Sequence, residues 1–221
     1  ALYVSSATSE NTVYLLFSAP NQIARYDMVT RQELTPVGLP GVPTAMAVSG
    51  ERAYVALHRE LYALNLETEE LEYVRGFSED VTSLVILGKH LYATTQSGAN
   101  TSAIALADHH LIATNSDFYS GKQFLGSEQN QAIFFRSMNV SPSDIRKMKV
   151  APSGGLTSSQ DSPYHGDYPD ASIVYLNASE SKVYDNAGIA YFAADLTYAG
   201  SLGGPVDALA FLGDNPIAAR G

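Results

Sequence analysis

The densest group of chemically active side chains lies in residues 159–170, which read SQDSPYHGDYPD. This stretch contains the carboxylates Asp161, Asp167 and Asp170, the imidazole of His165, and the phenols Tyr164 and Tyr168. Calcium prefers several oxygen ligands, so the three aspartates are candidate calcium ligands, although their spacing is not that of an EF-hand loop. Tyr164 beside His165 is a candidate acid–base pair. The alternative, which we favour, is an acidic, aromatic surface loop stiffened by prolines.

The composition excludes several classes of function. The chain of 221 residues has 13 Lys and Arg against 23 Asp and Glu, a net charge of −10, which argues against a nucleic-acid binder or a polybasic membrane contact. There is no cysteine, so thiol catalysis, disulfides and cysteine-ligated metals are excluded. No apolar run approaches the ~20 residues that span a bilayer.

A repeated unit organises the chain. Its first half is a short apolar run, a polar or glycine turn and a second alternating run, a pattern typical of a β-hairpin. This half recurs as TAMAVSGERAYVAL from Thr44, TSLVILGKHLYATT from Thr82, KQFLGSEQNQAIFF from Lys122, ASIVYLNASESKVYDN from Ala171 and DALAFLGDNPIAAR from Asp207. A second, more polar pair of strands, such as LYALNLETEELEYV from Leu61, follows the hairpin.

Four strands in each repeat of about 40 residues are typical of a β-propeller blade. The sequence therefore predicts an all-β chain of about five four-stranded blades and an extra hairpin. The predicted blades cover residues 2–43, 44–81, 82–121, 122–170 and 171–206, and a partial blade covers residues 207–221.

The segment AVSGERAYVALHRELYALNLETEELEYV resembles the blades of the LVIVD and YVTN families of bacterial and archaeal propellers. Its second element, LYALNL, lacks the aspartate that is usual there, and the other blades match the pattern less well. The resemblance implies an extracellular, cell-surface or periplasmic protein and specifies no catalytic residue.

Five blades and a hairpin leave an open sheet edge, which invites pairing with another strand. Three interpretations follow. The chain is a fragment of a six- to eight-bladed ring, which we favour; or a second chain completes the last blade; or the six units close as they stand.

In a propeller blade, the turn from the second to the third strand and the connection from the fourth strand to the next blade open on one face, here called the loop face. Residues 159–170 are expected there because they join two blades. The second strands end at Ser18, His58, Gln96, Arg136, Asp185 (or Asn186) and Arg220. These strand ends predict a polar rim around a ligand-binding mouth, in which arginine binds an anion. The other candidate ligand-binding residues are Tyr119, in another connection, and Tyr164, His165 and Tyr168, in residues 159–170. The alternative is that strand ends are normally polar.

The function that we favour is a non-enzymatic module that binds a protein or a glycan through its loop face. No cofactor is expected, except calcium at the three aspartates. One alternative is a lyase or hydrolase acting on an acidic glycan, with His58, Tyr164 and His165 as acid–base groups and Arg136 with Arg220 neutralising a carboxylate. Another is a structural scaffold completed by a partner chain.

Overall fold

The computed structural model describes residues 1–96, 100–115, 121, 123–138 and 140–221. Within these residues the chain forms five four-stranded antiparallel sheets and one two-stranded hairpin, and none of them is helical. This confirms the predicted all-β architecture. None of the described segments is a helix with the length and hydropathy of a membrane span.

Each sheet is a meander in which strands adjacent in sequence pair with each other. Sheet 1 contains β1 (Leu2–Ser9), β2 (Thr12–Ala19), β3 (Asn21–Asp27) and β4 (Gln32–Gly38). Sheet 2 contains β5 (Pro43–Ser49), β6 (Arg52–Leu57), β7 (Glu60–Asn65) and β8 (Leu71–Gly76). Sheet 3 contains β9 (Val81–Leu87), β10 (His90–Thr95), β11 (Thr101–Ala105) and β12 (Leu111–Asn115).

The remaining strands follow the same order. Sheet 4 contains β13 (Phe124–Ser127), β14 (Ala132–Arg136), β15 (Ile145–Lys149) and β16 (Gln160–Asp161). Sheet 5 contains β17 (Val174–Leu176), β18 (Lys182–Asp185), β19 (Ile189–Phe192) and β20 (Tyr198–Ser201). The last hairpin consists of β21 (Ala208–Leu212) and β22 (Asn215–Ala219).

The turn between the first and second strands has the same backbone feature in all six units. One residue of each turn has a positive φ, which reverses the chain tightly. These residues are Glu10, Gly50, Gly88, Gln131, Glu180 and Gly213. Glycine adopts this conformation without a steric cost. The repeated polar or glycine turns in the sequence therefore correspond to one repeated backbone geometry.

The core lies between neighbouring sheets and not within any one of them. In β6, Ala53 and Val55 belong to the core shared with sheet 1, and the alternate residues Tyr54 and Ala56 belong to the core shared with sheet 3. Successive side chains of a strand point to opposite faces, so a strand buried on both faces has to be apolar throughout. This explains why β6 (RAYVAL) and β14 (AIFFR) are apolar over nearly their whole length, although alternation was predicted for the second strands.

The first strands of sheets 1 to 4 face a central channel with a volume of about 650 Å³. It is lined by parts of β1, β5, β9 and β13 and by Ile173. Among the described strands, β1 pairs only with β2 and β22 only with β21, and Tyr3 and Leu212 are 60% and 73% exposed. How the series of sheets is completed stays a prediction.

Packing between sheets predicts that two leucines contribute very differently to the free energy of unfolding. Leu64 in β7 is 1% exposed and Leu34 in β4 is 40% exposed. We expect Leu64→Ala to lower the free energy of unfolding by about 2–5 kcal/mol because it leaves a cavity between sheets 1 and 2. Leu34→Ala should change it by less than ~0.5 kcal/mol. Urea titration of both variants measures this, and equal shifts of the midpoint would contradict the packing described here.

Candidate functional site

The loop face has a group of polar side chains where sheets 2 and 3 meet. The turn between β6 and β7 consists of His58 and Arg59, and residues 77–80 connect β8 to β9. Backbone hydrogen bonds join these segments: Phe77 N donates to Arg59 O at 2.8 Å, and Val81 N donates to His58 O at 2.8 Å. The connection also reaches the end of β10, because Gln96 N donates to Asp80 O at 2.8 Å.

Asp80 is the centre of this group. Its Oδ2 lies 3.1 Å from His58 Nδ1, and its Oδ1 lies 3.5 Å from Arg59 Nε. A cavity of about 340 Å³ is lined by Arg59, Glu79, Asp80 and Gln96. We call these four residues together with His58 the Asp80 cluster. The structure thus brings two predicted rim residues, His58 and Gln96, to one place.

The Asp80 cluster offers donors and acceptors side by side. A carboxylate only accepts hydrogen bonds, so His58 Nδ1 carries the proton shared with Asp80 and Nε2 is left available to accept when the imidazole is neutral. The guanidinium of Arg59 donates hydrogen bonds, and the amide of Gln96 can both donate and accept them. The cluster can therefore bind a partner that carries both charged and neutral polar groups.

Arg136 and Asp185, which were predicted at an open rim, are buried. Arg136 is 1% exposed, and its Nη1 lies 3.4 Å from Asp185 Oδ2 and 4.0 Å from Asp144 Oδ1. Asp185 also accepts hydrogen bonds from the backbone N–H groups of Ala187 and Ile189. The predicted rim position is wrong for both residues because each is the other's partner in the interior between sheets 4 and 5.

Burial raises the pKa of Asp185, and Arg136 and the backbone N–H donors oppose that rise. The hydroxyl of Tyr191 lies 3.4 Å from Asp185 Oδ2, and burial raises the pKa of this phenol as well. A charge in the interior is tolerated only when it is paired and hydrogen-bonded. The network therefore has a structural role that ties sheet 4 to sheet 5.

Residues 159–170, the stretch SQDSPYHGDYPD, are packed against the neighbouring sheets. Gln160 and Asp161 form β16, the fourth strand of sheet 4, and the following residues connect to β17. Pro169 O accepts a hydrogen bond of 2.8 Å from Arg136 Nη2. This contact joins the connection to the buried network, so the connection is part of the interface between sheets 4 and 5.

The two tyrosines of residues 159–170 pack against the neighbouring sheets, and their role in binding stays a prediction. Tyr164 and Tyr168 pack against the core between sheets 4 and 5, and their rings meet edge to face at 5.1 Å between centroids. The Tyr164 hydroxyl accepts a hydrogen bond of 2.9 Å from Tyr198 N, and the Tyr168 ring stacks on that of Tyr198 at 5.5 Å. His165 is exposed in the same connection and has a φ of 39°.

Calcium binding stays a prediction. Asp161 forms an ion pair with Arg146, whose Nε lies 2.7 Å from Asp161 Oδ1. Burial raises the pKa of Asp161, and the charge of Arg146 opposes this rise. Asp167 and Asp170 are exposed. Over the part of the chain that the structure describes, no three His, Asp or Glu side chains are grouped as metal ligands.

The residues predicted for the enzyme alternative occupy different places. Among the acid–base candidates, His58 pairs with Asp80, and Tyr164 accepts a hydrogen bond from the backbone of β20. Of the two arginines predicted to neutralise a carboxylate, Arg136 is buried. Arg220 donates from Nε to Pro205 O at 2.9 Å and holds the turn that precedes β21. Tyr119 lies outside the described residues. Arg59, Glu79 and Asp80 were not predicted, because they lie in a short turn and a short connection that have no distinctive pattern in the sequence.

No family model matches the chain, and no curated protein matches it. The resemblance to LVIVD and YVTN blades therefore stays a prediction. Solved structures do match. The chain is similar to the computationally designed Ika8 protein, with a TM-score of 0.67 and 14% identity over 98% of this chain and 67% of that chain. It is also similar to the RRP9 WD40 repeats, with a TM-score of 0.67 and 10% identity over 83% of this chain and 59% of that one.

The fold is a β-propeller. The sheets described above are therefore propeller blades. A luciferin-regenerating enzyme is similar too, with a TM-score of 0.67 and 10% identity over 97% of this chain and 81% of that one. Identities this low carry information about the fold alone, because one fold hosts many unrelated functions. The chain spans less than two thirds of the RRP9 chain and about two thirds of the Ika8 chain.

The buried ion pair predicts that replacing Arg136 destabilises the fold much more than replacing Arg59. We expect Arg136→Met to lower the free energy of unfolding by about 3–5 kcal/mol, because Asp185 is left charged and unpaired in the interior. Arg59→Met, at an exposed ion pair, should cost at most ~1 kcal/mol.

Chemical denaturation of both variants checks this, and Arg136→Met combined with Asp185→Asn should recover part of the loss. If the two single variants are equally stable, Arg136 is not part of a buried pair.

Proposed function

We propose that the chain is a non-enzymatic propeller module that binds a protein partner through its loop face, at the Asp80 cluster. The observation that carries this proposal is the convergence of three backbone segments from two blades on one polar cavity. Loops that a rigid scaffold positions in this way are the usual place of binding function.

The chemistry of the cavity favours a protein over a small ligand. Pockets for small molecules are lined mainly by hydrophobic and aromatic side chains. The described residues that line this cavity are instead an arginine, two acids and an amide. Groups of both signs at an exposed surface match the polar and charged groups of a protein surface, where they determine specificity and the rate of association.

A secreted, cell-surface or periplasmic location is part of the proposal. It rests on the resemblance to the LVIVD and YVTN blades, and an acidic chain without cysteine is compatible with it. A glycan ligand is the competing outcome, and the same protein can be tested against both classes.

The binding test compares substitutions in the Asp80 cluster with a control substitution at the opposite end of β6. A displayed library of peptides, selected on the immobilised chain, supplies the protein-like probes, and a glycan array is run beside it. We expect selected peptides whose affinity falls at least about tenfold in Arg59→Ala and in Asp80→Asn, because both substitutions remove groups that line the cavity.

Arg52→Ala is the matched control. Arg52 begins β6 at the opposite end of that strand from His58, and its exposed guanidinium lies 3.7 Å from Glu72, so this variant should bind as the unmodified chain does. Peptides that are indifferent to all three substitutions would contradict a site at the Asp80 cluster. Glycan hits that depend on Arg59 and Asp80 would replace the protein partner with a carbohydrate.

A further inference from the structure

Carboxylates link the turns between first and second strands from one sheet to the next. These turns lie on the face opposite the loop face, which we call the turn face. Gly88 N, in the turn of sheet 3, donates a hydrogen bond to Glu128 Oε1, in the turn of sheet 4. Gln129 N and the Ser127 hydroxyl, in sheet 4, donate to Glu180 Oε2, in the turn of sheet 5, at 2.8 Å and 2.7 Å.

The last hairpin is linked to sheet 5 in the same way. Ser179 N and Asn177 Nδ2, in the turn of sheet 5, donate to Asp214 Oδ1 at 2.8 Å and 2.9 Å. Three successive turns therefore each carry an acid that accepts a backbone hydrogen bond from the turn before it. We call Glu128, Glu180 and Asp214 the turn acids.

The donors to the turn acids are all neutral. In the part of the chain that the structure describes, none of the three carboxylates is in an ion pair. The titratable groups that face them are the phenols of Tyr92 and Tyr184. Lys89 and Lys182 flank the turns in sequence, and the Lys182 Nζ lies over the ring of Phe192, 5.9 Å from its centre. An ionised acceptor makes a hydrogen bond roughly twice as strong as a neutral one, so protonation of the acids weakens these links.

The first half of the series is joined by cationic donors on the same face. Arg25 Nη1, in β3, donates to Leu66 O at 2.8 Å and joins sheet 1 to sheet 2. His109, in the turn between β11 and β12, lies 3.4 Å from Glu72 through Nδ1 and 3.4 Å from the Tyr54 hydroxyl through Nε2. It joins sheet 3 to sheet 2. A guanidinium keeps its proton and an imidazole gains one in acid, so neither donor is lost as the pH falls.

We propose that the turn acids form an acid-sensitive switch that holds the second half of the chain together. The three links are complete while the carboxylates are ionised. They weaken as the pH falls through about 4, where Asp and Glu side chains take up protons. The joints from sheet 3 to the last hairpin then open before the joints among sheets 1, 2 and 3.

Other carboxylates do not produce this difference between the two halves. Burial raises the pKa of Asp185, so the uptake of its proton in acid favours the folded state. Hydrogen bonds from Thr30 and Thr197 lower the pKa values of Asp27 and Asp195, so protonation of these two acids favours unfolding. Each of those bonds lies within one turn, the first in sheet 1 and the second in sheet 5, so both halves of the series are affected alike.

Amide hydrogen exchange of the whole chain tests the switch. Rates are measured at about pH 6 and about pH 3.5, on either side of the range in which Asp and Glu titrate, and each is divided by the rate of an unstructured peptide at the same pH. We expect protection in β14 and β18 to fall at least about tenfold between the two conditions, and protection in β6 to fall less than about threefold. An equal fall in β6 would overturn the proposal.

A triple variant tests whether the turn acids cause the fall. Glu128→Gln, Glu180→Gln and Asp214→Asn together keep an acceptor oxygen at each link but cannot be protonated, so β14 and β18 should be equally protected at both pH values. A triple variant that loses protection in acid as the unmodified chain does would overturn the proposal.

The matched control removes the same number of charges from exposed acids. The combination of Glu33→Gln, Glu67→Gln and Glu70→Gln should lose protection in acid as the unmodified chain does. If it is as resistant to acid as the first triple variant, net charge and not the links controls the response, and the proposal fails.

A measurement on the unmodified chain does not depend on the folding of any variant. The amide proton resonances of Gly88, Gln129 and Ser179 should shift as the pH falls through about 4, because their acceptors become neutral. Added salt at neutral pH should leave these shifts and the protection of β14 unchanged, because the donors carry no charge to screen. Amide resonances that do not move over this pH range would overturn the proposal.

Discussion

The structure depends on one constraint, which is that a sheet between two neighbours has to bury both of its faces. Sheets 2 to 4 each contribute to two hydrophobic cores, one with the preceding and one with the following sheet. A single blade cannot bury its apolar faces alone, so stability comes from the stacking of neighbours. Of the four cores formed by the described residues, sheet 1 contributes to one and the last hairpin to none.

Polar groups in the interior follow from the same packing. Arg136 and Asp185 end two second strands, but the connection between blades folds over them and Pro169 O takes one of the guanidinium donors. This bond and the packing of Tyr164 and Tyr168 hold the connection against sheets 4 and 5, while His165, Asp167 and Asp170 stay exposed. A second group of exposed polar side chains lies at Asp80, beside a cavity.

Much of the fold could be predicted from the sequence, because apolar runs separated by polar or glycine turns recur at intervals of about 40 residues and indicate four strands in each unit. The site could be predicted only in part. The end of a strand is visible in the sequence, so His58 and Gln96 were found. Whether a strand end is covered depends on the path of the next connection, which has no local pattern, so the burial of Arg136 and Asp185 could not be foreseen. Asp80 was missed because its role arises from its contacts with His58 and Arg59.

The most direct test of this account is amide hydrogen exchange measured strand by strand along the 221-residue chain. Packing of the sheets in series predicts slow exchange in β6, β10 and β14, which lie in the middle of the series. It predicts exchange at least about a hundredfold faster in β22 and in β1 and β4, the edge strands of sheet 1. Uniform protection from β1 to β22 would contradict it, because the ends would then be covered as completely as the middle of the series.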